Sequence, residues 1–318
     1  MRPKAYVAIS DYSSEALDIL KGVADVTIRS GGDRPTHDEL LHLVSEFDIL
    51  VIGVREKMTP EIHSQASRLC IIGTLSIGTD HIDPCFLCDE RIRIINTPLS
   101  NVASVTEHTY ALILAVLKRL VEAHMAAVGR KGRKGISDLP LELGSRTLGV
   151  VGAGNIGAKV ARVALALGLK VLCYTYHPEK HTELADAGVR FLPLDELLEQ
   201  ADILTLHLPL TDESRGILSA DRISLMKREA ILVNTARSQL VDSSALSQYL
   251  RKGLLAGAAL DCLEDDELSL FEGLPNVILT PHIAGLTKES IARMDVDLAV
   301  AITTYLSARP VLGQAREG

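Results

Sequence analysis

The strongest constraint in this chain is an alternation that it runs through twice: short apolar runs separated by longer stretches of helical periodicity. The first series has apolar runs at 6–9, 49–53, 70–74 and 92–96, with amphipathic stretches such as 14–21 and 37–45 between them. Strands joined by helical crossovers pair in parallel, so this order predicts an α/β unit with a doubly wound sheet. A long helix is then expected from Asn101 to about Val121, on the spacing of Val105, Leu112, Ala115, Val116 and Leu120. A polar, glycine-rich interval covers about 129–144. A second series follows, with runs at 147–151, 171–175, 203–207, 231–234, 258–261 and 277–280, then one more helix at about 287–306 and a polar tail. With 318 residues the chain exceeds one small core. The second series sits mid-chain with a helix left over, so one domain is expected to be inserted in another. The predicted division is 1–100 with 286–318 against 101–285, two domains sharing a cleft with a hinge near 97–101 and 283–288.

Charge and composition remove several function classes. Net charge is −8, so no global field draws a polyanion. The basic stretch Arg130-Lys131-Gly132-Arg133-Lys134 lies among glycines and reads as a solvated loop. Trp is absent and aromatics make up 3%, which leaves little for stacking on bases. No nucleic-acid partner is expected. No apolar stretch reaches the ~18 residues that cross a bilayer, so no membrane partner is expected either. The N-terminus runs straight into an apparent strand without the apolar stretch of a signal peptide. Five cysteines form an odd, scattered set, and the lone Cys85-x-x-Cys88 has no second pair or histidine spacing to make a metal site. The expectation is a cytoplasmic protein with reduced thiols and no metal.

One motif gives the second series its chemistry. Leu148-Gly149-Val150-Val151 leads into Gly152-Ala153-Gly154-Asn155-Ile156-Gly157, and a helical composition follows. This is G-x-G-x-x-G after a strand and before a helix, the setting in which it binds a dinucleotide. Gly152 permits the tight turn, Gly154 lets the backbone approach a pyrophosphate, and Gly157 lets helix and strand pack closely. The helix N-terminus adds N–H groups and partial positive charge. The carboxylate that usually binds the ribose hydroxyls, about 20 residues on, is missing: the position falls on Thr175. Tyr176-His177-Pro178-Glu179-Lys180-His181 follows, with cations but no arginine. Loss of the carboxylate removes a repulsion against the extra phosphate of NADP, so NADP is modestly favoured over NAD.

Further blocks resemble the D-2-hydroxyacid dehydrogenase family: Asn234-Thr235-Ala236-Arg237-Ser238-Gln239-Leu240-Val241-Asp242, Ala258-Ala259-Leu260-Asp261 and Thr280-Pro281-His282-Ile283-Ala284-Gly285. Ile77-Gly78-Thr79-Asp80-His81-Ile82-Asp83 and Asn101-Val102-Ala103-Ser104-Val105-Thr106-Glu107-His108 agree as well, and the matches run in order over nearly the whole chain. The resemblance implies a Rossmann dinucleotide-binding domain at 101–285 inserted into a flavodoxin-like substrate-binding domain at 1–100 and 286–318. It implies reversible hydride transfer between NAD(P)H and a small 2-keto acid, giving a D-2-hydroxy acid. His282 is then the general acid and base, since imidazole titrates near neutral pH. Arg237, a planar and permanently charged fork of donors, anchors the carboxylate and keto oxygen. The family places a Glu five positions after the Asp of A-L-D to pair with the histidine. Here that count lands on Asp266, so either Asp266 does the work or a one-residue shift hands it to Glu267.

The resemblance also implies cofactor contacts from Gly152, Gly154, Asn155, Ile156, Gly157, Thr175, His207, Pro209, Thr235 and Ala236. Asp261 is expected at the nicotinamide amide and Ser104 near the nicotinamide-side phosphate. Backbone N–H groups of Ser76, Ile77 and Gly78 are expected to bind the substrate carboxylate, with Arg55 at a second polar group of the substrate or in a surface ion pair. His108 is expected to make an interdomain hydrogen bond. A homodimer is expected, paired through the region of the helix from Asn101. Two other readings stay open: a nucleotide-sensing regulatory protein of the same fold, and a dehydrogenase of another oxidisable anion such as phosphite.

Overall fold

In the computed structural model, which describes residues 2–32 and 34–308, the chain forms two units. One holds the chain up to Asn101 and again from Lys288; the other is Val102–Thr287. The end of the expected substrate-binding domain, 309–318, lies outside the described residues.

The first unit carries β1 (Lys4–Val7), β2 (Asp25–Ile28), β3 (Ile49–Ile52), β4 (Ile71–Thr74) and β5 (Arg93–Ile95) in one parallel sheet of order β2-β1-β3-β4-β5. That is the flavodoxin-like order. Every residue of β3 and β4 is buried, as in a strand covered on both faces. The helix Ser14–Lys21 starts on Ser13, which accepts the Ala16 N–H, and His37–Glu46 starts on a capping box of Thr36 and Glu39. The closing helix Lys288–Ala308 places Leu298, Ala299 and Ile302 at zero exposure among the residues of β1, β3 and β4. Full burial of a Leu or Ile is worth about 1.5–3 kcal/mol each, so this last helix is part of the first unit's core. Strand β2 has no counterpart in the sequence reading. It is an edge strand with three of four residues exposed, and its Asp25 and Thr27 hide the apolar pattern.

The second unit carries β6 (Thr147–Val151), β7 (Lys170–Tyr174), β8 (Arg190–Phe191), β9 (Ile203–Leu206), β10 (Ile231–Asn234), β11 (Gly257–Leu260) and β12 (Val277–Leu279). The sheet is parallel, in the order β12-β11-β10-β9-β6-β7-β8. Two buried clusters cover its faces. The chain winds outward from β6 through β7 and β8, then crosses back to β9 and winds the other way. The carboxyl ends of β6 and β9 therefore flank a topological switch point, where ligands bind in such sheets.

The helix expected from 101 to 121 is broken. Val102–Leu117 and Leu120–Val128 are separate helices, with Arg119 left-handed at φ +49° between them. Such a residue costs roughly 1–2 kcal/mol. Bonds from Arg119 Nη1 to Glu122 (3.2 Å) and to the Ser137 hydroxyl (2.7 Å) hold the break. The basic stretch at 130–134 is exposed throughout. Among the described residues no helix is long and apolar enough to cross a membrane.

Candidate active site

The glycine turn leaves β6 at Val151. Gly152 has φ +101°, open to glycine at little cost, and a Cβ on Gly157 would lie 1.8 Å from the Gly152 carbonyl oxygen. Above Gly154 the space is open, with no atom within 4 Å of where a Cβ would stand. Gly154 is the N-cap of the helix Asn155–Ala166, so no capping side chain covers that helix end. These features fit a dinucleotide pyrophosphate: a close backbone approach and a helix N-terminus behind it. His207, just after β9, packs its backbone against Gly152 and bonds the Thr205 hydroxyl at 2.9 Å. Burial holds its imidazole well below the ordinary range, so it is neutral at physiological pH. Pro209 lies exposed two residues further on, its carbonyl accepting the Ser214 hydroxyl at 2.6 Å.

At the end of β7, Thr175 is half-buried beside a cavity of about 310 Å³ lined by Tyr174, Thr175, Pro178, Phe191, Leu192 and Pro193. His177 is paired with Glu179 at 3.2 Å, while Lys180 is exposed. The sequence missed a cation here. The Arg222 guanidinium is held by Asp195 at 2.9 Å; the Tyr176 phenol is pushed up by burial first, then by Tyr174 and the Glu213 carboxylate, with Arg222 opposing them.

Arg237 follows β10 in a turn stitched by Asn234. The Asn234 amide donates to the Arg237 carbonyl at 2.8 Å, and its oxygen accepts the Ala236 N–H at 3.0 Å. Asn234 is buried, so this double bond is part of the sheet end. Thr235 is buried beside it, hydroxyl to hydroxyl with Thr109 at 3.2 Å. Arg237 is half-buried, and its Nη1 donates to the Ala236 carbonyl at 2.8 Å.

His282 follows β12 with φ +56°, a left-handed conformation for a residue with a Cβ. The turn around it is bonded to Asp261, which leaves β11 next door. Asp261 Oδ1 accepts the Thr280 hydroxyl at 2.5 Å and the Ile283 N–H at 3.0 Å; Oδ2 accepts the Ala284 N–H at 2.8 Å. Burial alone would raise the Asp261 pKa, but hydrogen bonds from His108, Thr280, Ile283 and Ala284 outweigh it and hold the carboxyl below its ordinary value. Ser104 is buried and donates to the Ala284 carbonyl at 2.6 Å. His108, expected in an interdomain bond, instead meets Thr280 (3.3 Å) and Asp261 (3.5 Å) within its own unit.

In the first unit, the carbonyls of Ser76, Ile77 and Gly78 accept bonds from Thr97 N–H (2.9 Å), Asn96 Nδ2 (2.6 Å) and the Ser76 hydroxyl (2.6 Å). Among the described residues their own N–H groups find no partner, and Ile77 and Gly78 are half-exposed. Arg55 is exposed; next to it, buried Glu56 accepts the Gly53 N–H at 2.8 Å and closes that turn.

Residues 110–284 match the family described as D-isomer specific 2-hydroxyacid dehydrogenase, NAD binding domain. The chain is also 35% identical to the glyoxylate reductase of Aeropyrum pernix, over 97% of this chain and 94% of that one. It belongs to the D-2-hydroxyacid dehydrogenase family. Solved structures agree. The D-lactate dehydrogenase of Aquifex aeolicus, complexed with NAD and lactic acid, superposes with a TM-score of 0.84 at 32% identity, covering 96% of this chain and 95% of that one. The acyclic imino acid reductase Bsp5, in complex with NADPH and D-Arg, gives 0.85 at 30%, covering 97% and 98%. This D-2-hydroxyacid dehydrogenase is thus an NAD(P)-dependent enzyme acting on a small 2-hydroxy or 2-keto acid.

The acidic run after β11 sorts itself by its bonds. Glu267 Oε1 accepts the Ser243 hydroxyl at 2.6 Å and its Oε2 accepts the Glu264 N–H at 3.1 Å, so its carboxylate is tied both to its own turn and to the start of the helix Ser243–Arg251. Glu264 faces Gln239 at 3.4 Å. Asp266 is exposed, and among the described residues no hydrogen bond to its carboxylate occurs.

Proposed function

We propose that this dehydrogenase reduces a 2-keto acid of the size of glyoxylate or pyruvate to the 2-hydroxy acid, the D isomer where the product is chiral, reversibly and with NADPH modestly preferred over NADH. What supports the reading most is that Arg237 and His282 both stand at carboxyl ends of strands in the sheet that carries the glycine turn. A nucleotide sensor has no need of that pair. The relatives named glyoxylate reductase, and a neighbour holding lactic acid, support a small substrate.

Gly152, Gly154, Asn155, Ile156 and Gly157 hold the pyrophosphate, with Thr175, His207, Pro209, Thr235, Ala236, Ser104 and Asp261 as further cofactor contacts. The bound cofactor supplies the hydride. Arg237 fixes the substrate carboxylate and keto oxygen with its fork of donors. N–H groups of Ser76, Ile77 and Gly78 bind the carboxylate, and Arg55 meets a second polar group. His282 gives its proton to the oxygen as negative charge develops there, and takes it back in the reverse direction. Asp266 pairs with His282 and favours its protonated form. The absence of a carboxylate at Thr175, with the exposed Lys180 five residues on, supports NADPH.

A second copy of the chain is proposed to cover the exposed apolar side chains Leu120, Val121, Met125, Val128 and Leu139, which are 53–80% exposed. One purified sample tests both proposals. It should oxidise NADPH with glyoxylate or pyruvate faster than NADH, and scatter light as twice the 34.3 kDa chain. A panel of small 2-keto acids giving no turnover sinks the substrate reading, and a monomer at micromolar concentration sinks the dimer.

A further inference from the structure

The turn that carries His282 is gripped by side chains from two other places in the chain. The register of the sheet sets Leu260 of β11 opposite Leu279 of β12, so Asp261 and Thr280 leave neighbouring strands side by side. From there the Asp261 carboxylate, with no exposed surface, reaches one group before His282 and two after it: the Thr280 hydroxyl, the Ile283 N–H and the Ala284 N–H. The His282 N–H turns back onto the Thr280 carbonyl at 3.0 Å. His282 is the residue at the crest, left-handed and exposed, while the groups on either side of it are tied to one carboxylate.

A second grip comes from the helix Val102–Leu117. Ser104 and His108 are four residues apart, so they share one face of that helix. Ser104 fastens the far end of the turn through the Ala284 carbonyl, and His108 stands against Thr280 and Asp261 at the near end.

We propose that Asp261 is the positioning residue for His282, its carboxylate holding Thr280, Ile283 and Ala284 so that the turn presents the imidazole from a left-handed backbone. The inference rests on His282 as the proton donor and goes beyond it, because it assigns the geometry of the donor to a buried acid on another strand. It is also separate from any contact that Asp261 makes to the nicotinamide amide. Thr280 can be changed without removing the carboxylate, so the two roles come apart by experiment.

Thr280→Val removes the hydroxyl and keeps the shape, whereas Thr280→Ser restores a hydroxyl. For each variant, kcat and KM are measured with the keto acid found for the parent. The Kd for NADPH is measured by the cofactor's own fluorescence, in a chain that contains no Trp. Valine should lower kcat on the order of ten- to a hundredfold, as a displaced catalytic group does, with KM and Kd within about twofold of the parent, and serine should recover most of kcat. Asp261→Asn, folded by circular dichroism, should lose kcat at least as steeply, with any added change in the NADPH Kd reporting its own contact to the cofactor. A Thr280→Val enzyme with the parent's kcat overturns the proposal. So does a loss that falls on the NADPH Kd and leaves kcat untouched, or a serine variant no better than valine. Parent-like turnover in His282→Ala registers separately and removes the underlying reading.

Discussion

Arg237 and His282 leave the carboxyl ends of β10 and β12 in one sheet, yet their turns are held in opposite ways. The Arg237 turn is held largely by its own neighbour, since the Asn234 amide, three residues back, bonds both the Arg237 carbonyl and the Ala236 N–H. The His282 turn is held from outside, by Asp261 at the end of β11 and by Ser104 and His108 on a helix far earlier in the chain. The proposed anion anchor is therefore built from a motif and should stand or fall with it. The proposed proton donor is built from tertiary structure, so its geometry answers to residues far from it in sequence.

Three substitutions sharpen this contrast. The larger effect is expected from Asp266, the carboxylate proposed to pair with His282. Oxidation of the hydroxy acid needs neutral imidazole, and a nearby carboxylate raises the imidazole pKa by favouring its charged form. Asp266→Asn should lower that pKa, moving the acidic limb of the pH–rate profile to lower pH by about one unit, with a drop in kcat. Glu267→Gln should leave the limb in place, because its carboxylate is already bound to Ser243 and the Glu264 N–H. The reverse pattern would give the role to Glu267. A smaller effect is expected at the end of β7, which serves neither turn. Thr175→Asp should move the kcat/KM ratio severalfold toward NADH by adding a ribose contact and a repulsion against the extra phosphate. Turnover with the preferred cofactor at saturation should stay close to the parent's. A ratio that does not move would show that this strand end does not face the ribose.

What could be read in the sequence follows the same line between local and distant. Gly152 and Gly157 were legible because their requirement is steric and lies within six residues: no side chain fits where a Cβ would meet the Gly152 carbonyl. The buried strand β3 was legible as an unbroken apolar run, and β9 and β10 as apolar runs with one polar residue each, Thr205 and Asn234. Strand β2 and the two-residue β8 were not, because edge strands need little apolar surface. Nor was the break at Arg119, where Lys118-Arg119 offers no glycine or proline and the left-handed residue is held by Glu122 and Ser137. The motif gave Asp261 and Ser104 as cofactor contacts, but their bonds to the turn at 280–284 depend on which strand and helix end up adjacent. Arg222 near Tyr176 escaped for the same reason.

The central claim is that the two turns divide the work: one binds the anion, the other moves the proton. Steady-state kinetics of Arg237→Ala and His282→Ala with one 2-keto acid, alongside NADPH binding to each, test it most directly. His282→Ala should lose kcat by roughly 10²–10⁴-fold while its KM for the keto acid changes little. Arg237→Ala should raise that KM steeply and lower kcat as well, and both variants should bind NADPH as the parent does. Parent-like turnover in either variant, or the same loss in kcat and KM in both, would contradict the division.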